Sequence, residues 1–282
     1  MTQAIDSLIQ IADRFDAIVL DQWGVLHDGS APYPTAIAAL NALAVAGKRL
    51  AVLSNSGKRS GPNLHRIARM GFDPDLFETV MTSGEALWQD LARGRLAHTT
   101  FYPITSAAGD AEDWADGLDI TLTDTLARAD AVLLMGLPYA TPVDSFREVL
   151  KDARLRGIPV LCTNPDRASL RADGVVVVSP GALAHAHLEA GGDLRFYGKP
   201  HRPVFDAVQS TLNLPAARVV IVGDSLEHDI AGGHGAGWAT VFIQRGLHAS
   251  AFAQGHDPVH AIIRLAKAEG APLPDFTLSR LE

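Results

Sequence analysis

Three aspartates next to two apolar runs are the residues of this chain best suited to do chemistry. Asp21 follows the run 17–20, Asp224 follows the run 219–222 with one glycine between, and Asp229 lies shortly beyond. In open α/β sheets, ligands and catalytic groups gather at the carboxyl ends of the strands. Carboxylates buried there need a compensating cation, and Mg²⁺ prefers oxygen ligands. The spacing therefore predicts a Mg²⁺ site at Asp21 and Asp224, where Asp21 can also act as a nucleophile.

Groups that can hold an anionic substrate follow two other segments. Ser54 and Asn55 come directly after the strand-like run 49–53, and Lys199 follows an aromatic residue and a glycine. A hydroxyl, an amide and an ammonium group can all hold phosphate oxygens. Each also has a structural alternative, because Ser-Asn-Ser-Gly is an ordinary turn and a lysine after glycine is usually solvated. Only their order along the chain, together with the aspartates, favours one shared site.

In this order the motifs resemble those of the haloacid dehalogenase superfamily of aspartate-nucleophile hydrolases. The segments that carry the resemblance are Asp21-Gln22-Trp23-Gly24-Val25, Ser54-Asn55, Lys199, and Gly223-Asp224 with Asp229. The segments 163–166, 181–184 and 197–200 look like class IIA of that superfamily. The resemblance covers residues 14–245 and implies a Mg²⁺-dependent hydrolase that acts on a small phosphate monoester through an aspartyl-phosphate intermediate.

The resemblance also implies a role for each matching residue. Asp21 is the expected nucleophile, and Ser54, Asn55 and Lys199 are expected to bind the phosphate, with Ser54 and Lys199 also assisting catalysis. The metal ligands are expected to be Asp21, Asp224 and the backbone carbonyl of Trp23. Asp229 is expected to assist at the metal or to orient Lys199.

One position departs from the family pattern. Family phosphatases carry a second aspartate two residues after the nucleophile, where it protonates the leaving group, and this chain has Trp23 there. Tryptophan has no group that titrates, and the loss of general acid catalysis is typically worth about 10²–10⁴-fold. His27 is a candidate substitute acid, because an ordinary histidine titrates near neutral pH. A packing role for His27 is the alternative.

The departure at Trp23 leaves three functions open. The first is phosphate monoester hydrolysis with an altered or missing acid, and the second is a catalytically impaired protein that still binds metal and phosphate. The third is hydrolysis of a substrate whose leaving group needs no proton, as in a dehalogenase.

Composition limits the class of protein. The chain has 282 residues, 47% of them hydrophobic and 20% charged, which is typical of a globular protein with sizeable cores. A net charge of −8 without a basic block argues against a nucleic-acid partner. The N-terminal residues form neither a signal peptide nor a membrane span, so we expect a soluble, cytoplasmic protein with no membrane partner. The expected partner is a small phosphorylated metabolite, and a homo-oligomer remains open.

Strands alternate with helices along the whole chain, which predicts an α/β fold with a Rossmann-like, doubly wound parallel sheet. Asp21 and Ser54 precede the middle of the chain, whereas Lys199 and Asp224 follow it. One shared site therefore requires that the middle be an insertion. We predict a hydrolase core of residues 1–83 plus 195–282 and an inserted α/β cap domain, of the C2 type, over 84–194. The strands predicted in the cap are 99–103, 130–135, 158–162 and 175–178.

Overall fold

The structure of the chain is a computed structural model that describes residues 2–138, 142–170, 176–252 and 257–282. The chain divides into two compact units. Unit 1 contains Met1–Ser54, Leu64–Met81 and Phe205–Glu282, and unit 2 contains Asn55–Asn63 and Thr82–Val204. Relative to the predicted domain boundaries, residues 55–63, 82–83 and 195–204 belong with unit 2. The core-and-cap division at 84 and 194 stays a prediction.

Unit 1 is built on a seven-stranded sheet, and the pairings described along it are parallel. Across the sheet the strands are β1 (Gln3–Ala4), β14 (Phe276–Leu278), β13 (Ala239–Ile243), β12 (Val219–Gly223), β2 (Ala17–Leu20), β3 (Arg49–Ser54) and β4 (Phe77–Thr82). Strands β2 and β12 are buried along their whole length, which explains why they read as unbroken apolar runs.

The register of the central strands places their carboxyl ends side by side. Leu20, the last residue of β2, pairs with Val222 of β12 on one side and with Val52 of β3 on the other. Asp21, Asp224 and Ser54 therefore all emerge at the same edge of the sheet. This is the edge at which open α/β sheets bind ligands.

Nine α-helices lie among the described residues, and they connect successive strands. They are α1 (Ala36–Val45), α2 (Ser60–Arg69), α3 (Ser83–Ala92), α4 (Asp110–Ala115), α5 (Val143–Arg156), α6 (Pro180–Glu189), α7 (Arg202–Leu212), α8 (Ala231–Ala236) and α9 (Pro258–Glu269). In the described ranges, no helix is both long and apolar enough to span a membrane.

Unit 2 contains a second, smaller parallel sheet with its own core. Across this sheet the strands are β11 (Leu194–Phe196), β8 (Val160–Cys162), β7 (Ala131–Leu134), β5 (Thr100–Ile104) and β6 (Thr121–Leu122). Between β8 and β11 in the chain, β9 (Ala168–Leu170) and β10 (Val176–Val178) form a separate antiparallel pair. Three of the predicted cap strands are present within a few residues. The fourth, 175–178, begins at a residue that lies outside the described ranges.

Candidate active site

The three predicted aspartates form one cluster in unit 1. One carboxylate oxygen from each of Asp21, Asp224 and Asp229 lies within 4.8 Å of the others. Asp224 and Asp229 are buried, and Asp21 is half-buried. Three like charges so close together repel one another strongly unless a cation or protons compensate them. The donor set consists of oxygen atoms alone, which fits a hard divalent cation such as Mg²⁺.

The Asp224 carboxylate is enclosed by backbone from two loops. The backbone N–H of Leu247 donates a hydrogen bond of 2.8 Å to its Oδ2. Gly24 and Gly246 both have positive φ, and a Cβ added at either would lie about 2 Å from that same oxygen. Both positions therefore require glycine for close approach as well as for backbone conformation. The turn that contains Trp23 and Gly24 consequently passes directly against Asp224.

Asp229 is positioned by an unusual helical turn. Residues Leu226–Ile230 form a π-helical turn immediately before α8, and such turns are frequent at functional sites. The Ser225 hydroxyl accepts a hydrogen bond from the backbone N–H of His228 and so caps the turn. The backbone N–H of Ser225 in turn donates to Oδ2 of Asp229 at 3.2 Å. The helical stretch after Ser225 therefore consists of two segments, the π-helical turn and α8.

His27 is fully buried, and this contradicts the expectation that it titrates near neutral pH. Its Nδ1 accepts a hydrogen bond from the backbone N–H of Gly29, so the neutral ring carries its proton on Nε2. Burial, and then the positive charge of Arg66, lower the pKa of His27 to about 4, although Asp21 opposes the shift. A neutral, buried imidazole is a poor proton donor, and the structure thus favours the packing role.

Burial of neutral His27 makes the stability of the fold sensitive to acid. Its pKa is about 4 in the folded state against 6.5 ordinarily, so the unfolded chain binds an extra proton between these values. The contribution of neutral His27 to the free energy of unfolding is therefore fully present above the ordinary pKa of histidine. It is lost progressively as the pH drops toward 4. We expect wild type to lose about 2 kcal/mol more than His27→Gln between about pH 7 and about pH 5, measured by urea unfolding.

A matched control for this prediction is His65→Gln, because His65 is an exposed histidine of unit 1. It should show the same acid sensitivity as wild type. Equal pH dependence of His27→Gln and wild type would show that His27 is not the group that makes the fold sensitive to acid.

The sequence analysis missed two polar residues near Asp21, one of them buried and the other half-buried. Gln22 is 1% exposed, and its Oε1 accepts a short hydrogen bond from Nη2 of Arg66. Arg66 is half-buried, and its charge acts on both His27 and Asp21. The available signal was Gln22 itself, a polar residue two positions after a strand that is apolar throughout.

Asn55 and Lys199 meet in unit 2. The Asn55 Oδ1 accepts a hydrogen bond of 2.6 Å from the backbone N–H of Lys199, and its Nδ2 donates to the Lys199 carbonyl at 3.2 Å. Nδ2 also donates to Oδ1 of Asp166 at 2.7 Å. These bonds explain why residues 55–63 and 195–204 belong with unit 2. Lys199 is 3% exposed, which is rare for a lysine and excludes the solvated alternative.

Unit 2 also contains a polar cavity of about 290 Å³. Its lining includes the side chains of Ser56, Ser106 and Asn164 and an ion pair in which Lys58 Nζ lies 2.9 Å from Asp110. More polar than apolar surface faces this cavity, which suits a hydrophilic ligand better than an apolar one.

Two family models match the chain, and both describe the same superfamily. Residues 18–116 match a model described as haloacid dehalogenase-like hydrolase, and residues 196–268 match one described as HAD-hydrolase-like. The first range includes Asp21, Ser54 and Asn55. The second includes Lys199 and Asp224.

Several known proteins are similar to this one over most of its length. Human chronophin is 29% identical over 86% of this chain and 85% of its own length. Glycerol-3-phosphate phosphatase from Gallus gallus is also 29% identical, over 86% of this chain and 83% of its own. A crystal structure of a haloacid dehalogenase-like hydrolase from Brucella suis 1330 is 27% identical, with a TM-score of 0.81 over 99% of this chain and 100% of that one. The order of motifs, the fold and these matches agree, and the chain belongs to the haloacid dehalogenase-like hydrolases.

Proposed function

We propose that this protein is a Mg²⁺-dependent phosphatase that uses Asp21 as its nucleophile and hydrolyses a small phosphate monoester. The observation that carries the proposal is the cluster of Asp21, Asp224 and Asp229 at the carboxyl edge of the unit 1 sheet. In such an arrangement one carboxylate attacks phosphorus while its neighbours hold a cation. Similarity to proteins named as phosphatases supports this function.

The residues that would hold Mg²⁺ are Asp21, Asp224 and the carbonyl of Trp23, with Asp229 assisting. The close approach of the Gly24 turn to Asp224 supports the assignment of the Trp23 carbonyl. When bound, the ion neutralises negative charge on the carboxylates and on the substrate phosphate.

The chemistry proposed for the protein groups runs in two steps. A carboxylate oxygen of Asp21 attacks phosphorus, and the bond between phosphorus and the ester oxygen breaks. The departing oxygen takes its proton from solvent, because Trp23 has none to give and His27 is neutral and buried. Water then attacks the aspartyl phosphate, releasing inorganic phosphate and restoring Asp21.

The proposed substrate is a small, hydrophilic phosphate ester. From the sequence resemblance we carry forward Ser54, Asn55 and Lys199 as the groups that bind phosphate oxygens. Lys199 supports this role because its ammonium group, which can donate three hydrogen bonds, is buried rather than solvated. Similarity to glycerol-3-phosphate phosphatase from Gallus gallus supports a hydrophilic organic part of the substrate.

The proposal is tested by phosphate release from a panel of aryl and alkyl phosphates, with Mg²⁺ and with a chelator. We expect turnover that needs Mg²⁺. In Asp224→Asn, calorimetric Mg²⁺ affinity should fall at least about tenfold, because a carboxylate charge next to a divalent ion is lost. Metal binding without turnover would instead indicate the impaired binding protein. Release of halide from a haloacid without metal would indicate the dehalogenase alternative.

A further inference from the structure

Arg66 carries a positive charge, and the part of the chain that the structure describes holds no carboxylate in a direct ion pair with it. Among the described residues, its side chain hydrogen-bonds only the neutral Oε1 of Gln22. Gln22 is itself buried and follows Asp21 in the chain. A neutral amide oxygen orients a guanidinium group but does not cancel its charge.

The surroundings of Arg66 contain more hydrogen-bond donors than acceptors. Three buried nitrogens have no partner among the described residues: Nε of Arg66, Nε2 of Gln22 and Nε2 of His27. Each carries a hydrogen, since Oε1 of Gln22 faces Arg66 and Nδ1 of His27 accepts from Gly29. Unpaired buried donors are uncommon in folded proteins, and a catalytic role is one of the explanations for them. The group is therefore electropositive, and nothing within it compensates the charge.

Two carboxylates, Asp28 and Asp21, act on this electropositive group, and Asp21 is the one that acts on Arg66. Its negative charge raises the pKa of Arg66, against the larger lowering that burial causes. The same carboxylate raises the pKa of His27. Asp21 is thus subject to two positive charges: that of Arg66, which is part of the protein, and that of the cation that its cluster with Asp224 would hold.

We infer that Arg66, held by Gln22, is a positioning residue that attracts the Asp21 carboxylate and limits how tightly the aspartate cluster binds a divalent cation. This inference rests on the metal role in the proposed function and adds a residue that sets the affinity. Positive charge near a cation site weakens binding by Coulomb repulsion and by competition for the shared carboxylate. Because the positive charge of Arg66 weakens the bond between Asp21 and the cation, the Asp21 carboxylate also stays available to attack phosphorus.

The test is calorimetric titration of the protein with Mg²⁺ in the absence of substrate. Arg66→Gln removes the charge and can still donate to Gln22, and we expect it to bind Mg²⁺ about fourfold more tightly than wild type. Arg66→Lys keeps the charge and should bind as wild type does. Arg69→Met is the matched control, because it removes an exposed arginine from the same helix, α2.

The outcomes separate an electrostatic role from a structural one. A residue that only supports the fold would weaken Mg²⁺ binding when it is replaced, so unchanged or weaker binding by Arg66→Gln overturns the inference. If wild type binds Mg²⁺ and hydrolyses phosphate esters while Arg66→Gln shows no gain, the inference fails and the proposed function stands. If wild type binds no Mg²⁺, the proposed metal role fails and the inference fails with it.

Discussion

Replacement of Asp21 by asparagine should abolish Mg²⁺-dependent phosphate release, with a loss of at least about 10³-fold in kcat. Asparagine has nearly the same shape, but its amide is a far weaker nucleophile than a carboxylate. The cluster would also lose one of its three charges. The measurement is the initial rate of phosphate release from 4-nitrophenyl phosphate at saturating Mg²⁺, so that weaker metal binding does not hide the chemical step.

The control for this experiment is Asp28→Asn. Asp28 is an exposed carboxylate seven residues after Asp21, and it accepts hydrogen bonds from the backbone N–H groups of Ser30 and Ala31. Asparagine can still accept these bonds through its carbonyl oxygen, so the loop should persist and activity should stay near that of wild type. If Asp21→Asn kept about 10% or more of the wild-type activity, a residue other than Asp21 would be the nucleophile.

Restoring a carboxylate at position 23 should raise the turnover of alkyl phosphates about 10²–10⁴-fold. An alkoxide is a poor leaving group without a proton, whereas a nitrophenolate departs readily without help. Trp23→Asp should therefore accelerate glycerol phosphate hydrolysis strongly and 4-nitrophenyl phosphate hydrolysis little. The measurement is kcat across a series of esters with increasingly basic leaving groups, for which wild type should show a steep decline and the variant a shallow one.

Trp23→Leu separates the carboxyl group from the loss of the indole ring. Trp23 is half-buried, with its indole nitrogen against Gly29, so a smaller residue opens space without supplying a proton. Trp23→Leu should keep the steep dependence on the leaving group. Equal acceleration by both variants would show that space, rather than the proton, limits the wild-type reaction.

The strongest sequence signals concerned the strands that carry the site. Strands β2 and β12 are buried on both faces, so their sequences are apolar without interruption, and the aspartates that end them stand out. The structure brings Asp21, Asp224 and Asp229 together as their spacing predicted. The resemblance to the haloacid dehalogenase superfamily is confirmed by family models that match residues 18–116 and residues 196–268.

Other features depend on contacts that a single sequence does not reveal. His27 directly precedes the polar run Asp28-Gly29-Ser30, yet it is fully buried. The hydrogen bond between Arg66 and Gln22 joins residues 44 positions apart. Strands β1 and β14 are only two and three residues long, too short for an alternating pattern to emerge. In each case, tertiary packing decides the outcome and local preference does not.

The order of strands across the unit 1 sheet has a consequence for synthesis of the protein. The backbone N–H of Asp21 donates to the carbonyl of Val222, which the ribosome adds 201 residues later. At about 5–20 residues per second, β2 waits roughly 10–40 s with only β3 as a partner. One edge of an apolar strand is exposed throughout that interval. The nascent chain should therefore depend on chaperones until β12 emerges, and the aspartate cluster should assemble only near the end of translation.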